Sequence, residues 1–238
     1  MKWTTGQNWV GSLDEIRISN VARSASWILQ QYSRGIGRLA GLYTSSSIEV
    51  TSGSTLDSVT WTPVGQATGD GETPYSTTGL VAKWDFNAAS GTTADNEGSC
   101  GATCDGTLTG FSSTGSRDAA AGTGWTADNK RWGEGALMFD GAGDYVSVGD
   151  VSQLELSNVT LATWVKPKVQ STYARIAGKY VYASSVGYHL NIGGAAGGIP
   201  YFHVGNGSST ATANSDNVKI YDNKWHYIVG SSPLAFDE

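Results

Sequence analysis

Between Gly135 and Pro167 apolar and polar side chains alternate with a period of two, and this constrains the fold more than any other stretch. Ala136–Asp140 is an apolar run that ends in the turn sequence Asp140-Gly141-Ala142-Gly143-Asp144. Tyr145–Val148 follows, with Val146 and Val148 on one side and Tyr145 and Ser147 on the other. Val159–Val165 then sets Val159, Leu161, Thr163 and Val165 against Thr160, Ala162 and Trp164, and Pro167 stops the run. Alternation over four to eight residues, β-branched and aromatic content, and Gly, Asp and Pro at the bounds together predict three strands. Trp164 makes the second face of its strand apolar as well, so that strand is expected inside a sandwich and not at its edge.

Composition agrees with many short strands joined by turns. Of 238 residues 32 are Gly, only 15% are charged, and Ser and Thr are abundant. A chain this long can bury a sizeable core, and no long stretch carries the 3.6-residue apolar period of a core helix. Fifteen basic residues against 21 acidic ones leave a net charge of −6, which argues against nucleic acid and anionic membrane surfaces as partners. There is no run of about 18 apolar residues to insert into a membrane. The N-terminus, Met-Lys-Trp-Thr-Thr-Gly-Gln-Asn, has no apolar h-region.

Four motifs in order then resemble one family. Gly79-Leu80-Val81-Ala82-Lys83-Trp84-Asp85-Phe86, the stretch from Gly135 to Val146, Val159 to Pro167, and Trp225-His226 together resemble the laminin-G-like branch of the concanavalin A-like jelly rolls. The resemblance covers about residues 79–230 and implies an all-β, antiparallel jelly-roll sandwich. It also implies an extracellular or cell-surface setting within a longer secreted chain. It does not imply a ligand, because this fold carries lectins, adhesins, hydrolases and spacers alike.

In chain order, residues 1–33 look like an ending. Trp9–Arg23 resembles the final strand of the same family, with Ile16 and Ile18 as its inward positions. Ser24 is placed to cap a helical turn at Ala25-Ser26-Trp27-Ile28. Either residues 1–33 are the tail of a preceding repeat, which is the favoured expectation, or the topology is permuted. Residues 34–78 read as a Ser/Thr/Gly-rich linker with short strands, including the run Ser58–Pro63 around Trp61. Residues 79–238 are the sandwich, expected to lack its usual C-terminal strands: Tyr173–Tyr182, Gly187–Ile192, Ile199–Val204 and Lys224–Val229 are strands, and no closing strand follows. The missing strand and the strand at Trp9–Asn20 are of one type, so fold-back within the chain or donation to another copy is expected.

The chemistry is mostly one of absences. Related glucanases carry paired carboxylates on one strand, Glu-x-Asp-x-Glu, and nothing here matches; Asp14 and Glu15 are adjacent and Glu155 stands alone. No Gly-x-Ser-x-Gly or phosphate loop exists, so no enzyme activity is expected. Cys100 and Cys104 are spaced to close a small disulfide loop in an oxidising compartment, with a metal site as the rival reading. The resemblance implies a structural Ca²⁺, with Asp14 as carboxylate ligand and backbone carbonyls near Asp85 and Gly141. For carbohydrate, the candidates are the stacking and hydrogen-bonding side chains Tyr173, Tyr182, Tyr188, Tyr201, His203 and Asn206. The expected function is a non-catalytic module binding a glycan or an extracellular protein. The alternatives are a structural subunit that polymerises by strand donation to other copies of itself, and an accessory domain of a polysaccharide-degrading enzyme.

Overall fold

The computed structural model describes residues 9–36, 74, 76–117, 122–170, 173–193 and 198–233. Most of the expected linker, with its Ser58–Pro63 run and Trp61, lies outside these residues. The elements run β1 (Val10–Ser19), α1 (Ala25–Gly35), β2 (Leu80–Trp84), β3 (Thr93–Ala94), β4 (Gly106–Thr109), β5 (Gly124–Thr126), β6 (Ala136–Asp140) and β7 (Tyr145–Ser147). They continue with β8 (Asn158–Pro167), β9 (Ala174–Val181), β10 (Val186–Gly193), β11 (Ile199–Asn206), β12 (Thr210–Asn214) and β13 (His226–Pro233). All pairing between these strands is antiparallel. A six-stranded sheet, β13-β8-β1-β6-β5 with β2 also on β1, faces a four-stranded sheet, β12-β11-β10-β9. A small sheet, β3-β4-β7, stands beside them. This is an antiparallel β-sandwich of the concanavalin A-like type.

The expected ending strand, β1, sits in the middle of the larger sheet of its own chain. It pairs with β8 along one side; on the other it pairs with β6 at Val10–Leu13 and with β2 at Ile16–Ser19. This arrangement is fold-back, in place of the expected tail of a separate repeat. Leu13, Ile16 and Ile18 all enter the core, although strict alternation cannot put both Leu13 and Ile16 on one face. A bulge between Asp14 and Arg17 resolves the conflict. At the bulge Glu15 takes a φ of 54°, and buried Thr163 donates its hydroxyl to the Asp14 carbonyl at 3.1 Å.

The core joins Leu13, Ile16, Leu137, Leu161 and Val165 of the larger sheet to Ile176, Leu190, Ile192, Phe202 and Val204 of the smaller one. Gly230 on β13 lies against the Phe202 ring, where a Cβ would collide with it, so the two sheets meet closely at a position with no side chain. On the opposite face of β8, Trp164 is covered as its apolar character required, and the cover is α1. Tyr32 stacks on Trp164 at 6.1 Å, Arg131 lies 4.7 Å over its ring, and Gly35 abuts its edge. Ser24 caps the helix by accepting from the Trp27 N–H at 3.3 Å. The helix is longer than the expected single turn. Its buried stripe is Trp27, Gln31, Arg34 and Gly35, too polar for an apolar-period search to find.

Candidate functional site

The outer face of the four-stranded sheet gathers a connected set of aromatic side chains. On β10 the alternation is clean: Tyr188, Leu190 and Ile192 point to the core, leaving His189 and Asn191 outward. On β11 Phe202 and Val204 point inward and Tyr201 and His203 outward. On β9 alternation alone would separate Arg175 from Tyr180. A register shift puts Arg175 opposite Asn191 and Gly178 opposite His189, so Arg175, Gly178 and Tyr180 share the outer face. Gly178 is required there: its φ is +154°, and a Cβ would lie 2.6 Å from that of His189.

The rings form a connected layer with His189 at its hub. Tyr180 and His203 lie 4.9 Å from it, Tyr182 6.1 Å and Tyr201 6.3 Å, centroid to centroid. Tyr173 extends the row, 6.3 Å beyond Tyr201. Hydrogen bonds hold the layer in place. Arg175 donates Nε to Asn191 Oδ1 at 3.3 Å and Nη2 to the Tyr182 hydroxyl, and Asn191 Nδ2 donates to the Tyr201 hydroxyl at 2.8 Å. His203 pairs through Nδ1 with Thr212 Oγ1 at 2.7 Å and through Nε2 with the Tyr180 hydroxyl at 3.1 Å. Tyr173 and Tyr182 stand above the layer, 51% and 53% exposed.

His189 is 4% exposed, and its Nδ1 has no hydrogen-bond partner among the described residues. Burial, then the Arg175 guanidinium and His203, hold its pKa down at about 3, so the ring is neutral at ordinary pH. Burial and then Arg175 also lower His203. Burial raises the Tyr201 hydroxyl and lowers Arg175. The face is therefore a neutral aromatic layer with one guanidinium in it, and β9 through β12 contain no Asp or Glu.

Of the six expected carbohydrate residues, Tyr173, Tyr182, Tyr201 and His203 come together here. Tyr188 is a correction: it is 1% exposed, in the core, and donates its hydroxyl to the Leu154 carbonyl at 3.2 Å. Asn206 sits at the β11–β12 turn, where its Oδ1 accepts from the N–H groups of Ser208 and Ser209 at 2.9 and 2.8 Å. Arg175, Tyr180, His189 and Asn191 were missed. The alternation of Gly187–Ile192 signals His189 and Asn191; the bulge hides Arg175 and Tyr180.

Of the three expected calcium positions, Gly141 lies apart from Asp14. Gly141 lies beside Val10, four residues of strand or about 13 Å from Asp14. Asp85 follows β2, near Lys83 at 3.7 Å, and its Oδ1 accepts from the Asn87 N–H at 3.1 Å. Asp14 Oδ2 accepts from the N–H groups of Arg131 and Trp132 at 2.7 and 3.0 Å. Among the described residues no group of three or more His, Cys, Asp or Glu could hold a metal. Cys100 and Cys104 form a disulfide across a short 3₁₀ turn, with Cα atoms 5.7 Å apart.

The sandwich and its outer face define the class, a concanavalin A-like β-sandwich. Residues 140–232 match the family model Laminin_G_3, described as the concanavalin A-like lectin/glucanases superfamily. The match runs from the end of β6 into β13 and leaves β1, α1 and β2 outside it. No curated protein and no solved structure matches the chain.

Proposed function

We propose that the chain is a non-catalytic, extracellular carbohydrate-binding module that takes a glycan on the outer face of its four-stranded sheet. Domains of this superfamily often bind carbohydrate or serve adhesion. One observation carries the reading: two exposed tyrosines, Tyr173 and Tyr182, flank a hydrogen-bonded layer of aromatic rings and fixed polar groups on one sheet face. A sugar has an apolar C–H face to stack on tyrosine and a rim of hydroxyls for fixed polar groups.

The absence of carboxylates from β9 through β12 supports a binding role, since retaining hydrolysis needs two carboxyl groups about 5–5.5 Å apart. The disulfide supports an oxidising compartment. Among the described residues no helix is long and apolar enough to cross a membrane. The placement of β1 within its own chain supports a self-contained module over a strand-donating polymer.

Glycan-array binding followed by calorimetry with Tyr182→Ala tests the reading. We expect binding to at least one glycan and an affinity loss of about tenfold in the variant, the scale of one stacked ring. No binding across the array, or unchanged affinity in the variant, overturns it.

A further inference from the structure

The edge of the four-stranded sheet is self-complementary. β12 ends that sheet, and all of its five residues are exposed. The Asn206 N–H donates to the Ser209 carbonyl at 3.1 Å, and the Ser215 N–H donates to the Pro200 carbonyl at 3.2 Å. Antiparallel pairs alternate between hydrogen-bonded and non-bonded. Positions 211 and 213 therefore bond to β11, while the N–H and C=O groups of Thr210, Thr212 and Asn214 point outward. Among the described residues nothing accepts from or donates to those outward groups.

Edges of this kind are normally blunted by a lysine, a proline, a bulge or a covering element. β12, Thr-Ala-Thr-Ala-Asn, has no charge and no proline, and its ladder to β11 is regular. The pattern also reads alike in both directions. With a two-fold axis through Thr212, antiparallel pairing sets Thr212 against itself, Thr210 against Asn214 and Ala211 against Ala213. That register places each outward-pointing residue opposite another, as a hydrogen-bonded ladder requires. Asp216 and Asn217, with φ of 42° and 70°, end the strand and carry the chain out of the ladder.

We infer that β12 is a homodimer interface, the partner being a second copy of this chain. Two four-stranded sheets become one continuous sheet of eight, and both outer faces lie on the same side of it. Thr212, at the joint, is hydrogen-bonded to His203 of the aromatic layer, so the two layers flank the axis. If each takes a glycan, the dimer is bivalent toward a multivalent surface; the pairing itself does not depend on that reading.

Sedimentation equilibrium of the full chain over a wide concentration range tests the inference, with two double variants that spare Thr212. Lys at both 210 and 214 (T210K, N214K) sets like charges opposite each other in the paired ladder; Lys at 210 with Glu at 214 (T210K, N214E) sets opposite charges there. We expect the parent and the lysine–glutamate variant to dimerise, and the double-lysine variant to dimerise at least about tenfold more weakly. A parent that is monomeric throughout overturns the inference. So does a double-lysine variant that dimerises like the parent, and so does a lysine–glutamate variant as weak as the double lysine.

Discussion

At Glu15 the backbone takes a φ of 54° inside a strand, and the side chain is paired with Arg17 at 2.6 Å, both side chains buried. Removing the carboxylate breaks a buried ion pair, a loss of about 3–5 kcal/mol. The left-handed backbone adds a separate cost of about 1–2 kcal/mol for any residue with a Cβ. Glu15→Ala and Glu15→Gly should therefore both be destabilised in urea unfolding, with the glycine variant about 1 kcal/mol the more stable. His189 makes the second prediction at this scale. Its folded pKa of about 3 lies below the ordinary value of 6.5, so the unfolded chain takes up a proton that the folded ring refuses. The contribution of His189 to stability is complete above pH 6.5 and declines as pH falls toward 3. The urea midpoint should drop across that window, and His189→Gln should drop less steeply.

Among the elements, β1 and α1 are one unit of packing. β1 fills the middle of the larger sheet with Leu13, Ile16 and Ile18 inward, and α1 returns over the other face to cover Trp164. The loop that follows β5 locks them together: Asp14 accepts from the Arg131 and Trp132 N–H groups, and the Trp132 indole donates to the Gly35 carbonyl at 2.9 Å. Gly35 is where helix and sheet meet most closely, since a Cβ there would lie 2.4 Å from the Trp164 ring. Gly35→Ala should lower stability by about 1–3 kcal/mol through overpacking, with a changed near-ultraviolet tryptophan signal. Deleting residues 1–33 would leave β8, β6 and β2 with unpaired edges at the centre of the sheet. The truncated chain should fail to fold as a soluble monomer, which size-exclusion chromatography and circular dichroism would show.

For the molecule as a whole, the sandwich gives one face to its own helix and carries the ring layer on the other. The larger sheet is closed off by α1; the smaller one carries Tyr173 and Tyr182, half exposed, at the two ends of the ring layer. Two exposed tyrosines at opposite ends of one layer suit separate sugars of one chain better than a single terminal residue. In calorimetry, affinity for the recognised glycan should rise from monosaccharide to tri- or tetrasaccharide and then level off. Tyr173→Ala, at one end of the row, should remove the gain from the longest ligand while leaving the short one almost unaffected.

By itself the sequence determined what is local. Alternation placed β6, β8, β10 and β11 and separated the two faces of β11, Ser24 announced the start of α1, and the Cys100–Cys104 spacing agreed with the bond that forms. Tyr201 and His203 were already on one face because they are two residues apart. Applied consistently, the same alternation would have sent Tyr188 inward with Leu190 and Ile192. Tertiary structure decided everything that depends on which strand lies beside which. Periodicity has no term for a bulge, so the shifts at Glu15 and on β9, which bring Leu13 into the core with Ile16 and Arg175 beside Tyr182, appear only when a partner strand fixes the register. Nor can it tell that β1 belongs between β8 and β6, because that choice rests on backbone pairing and burial between residues more than a hundred positions apart.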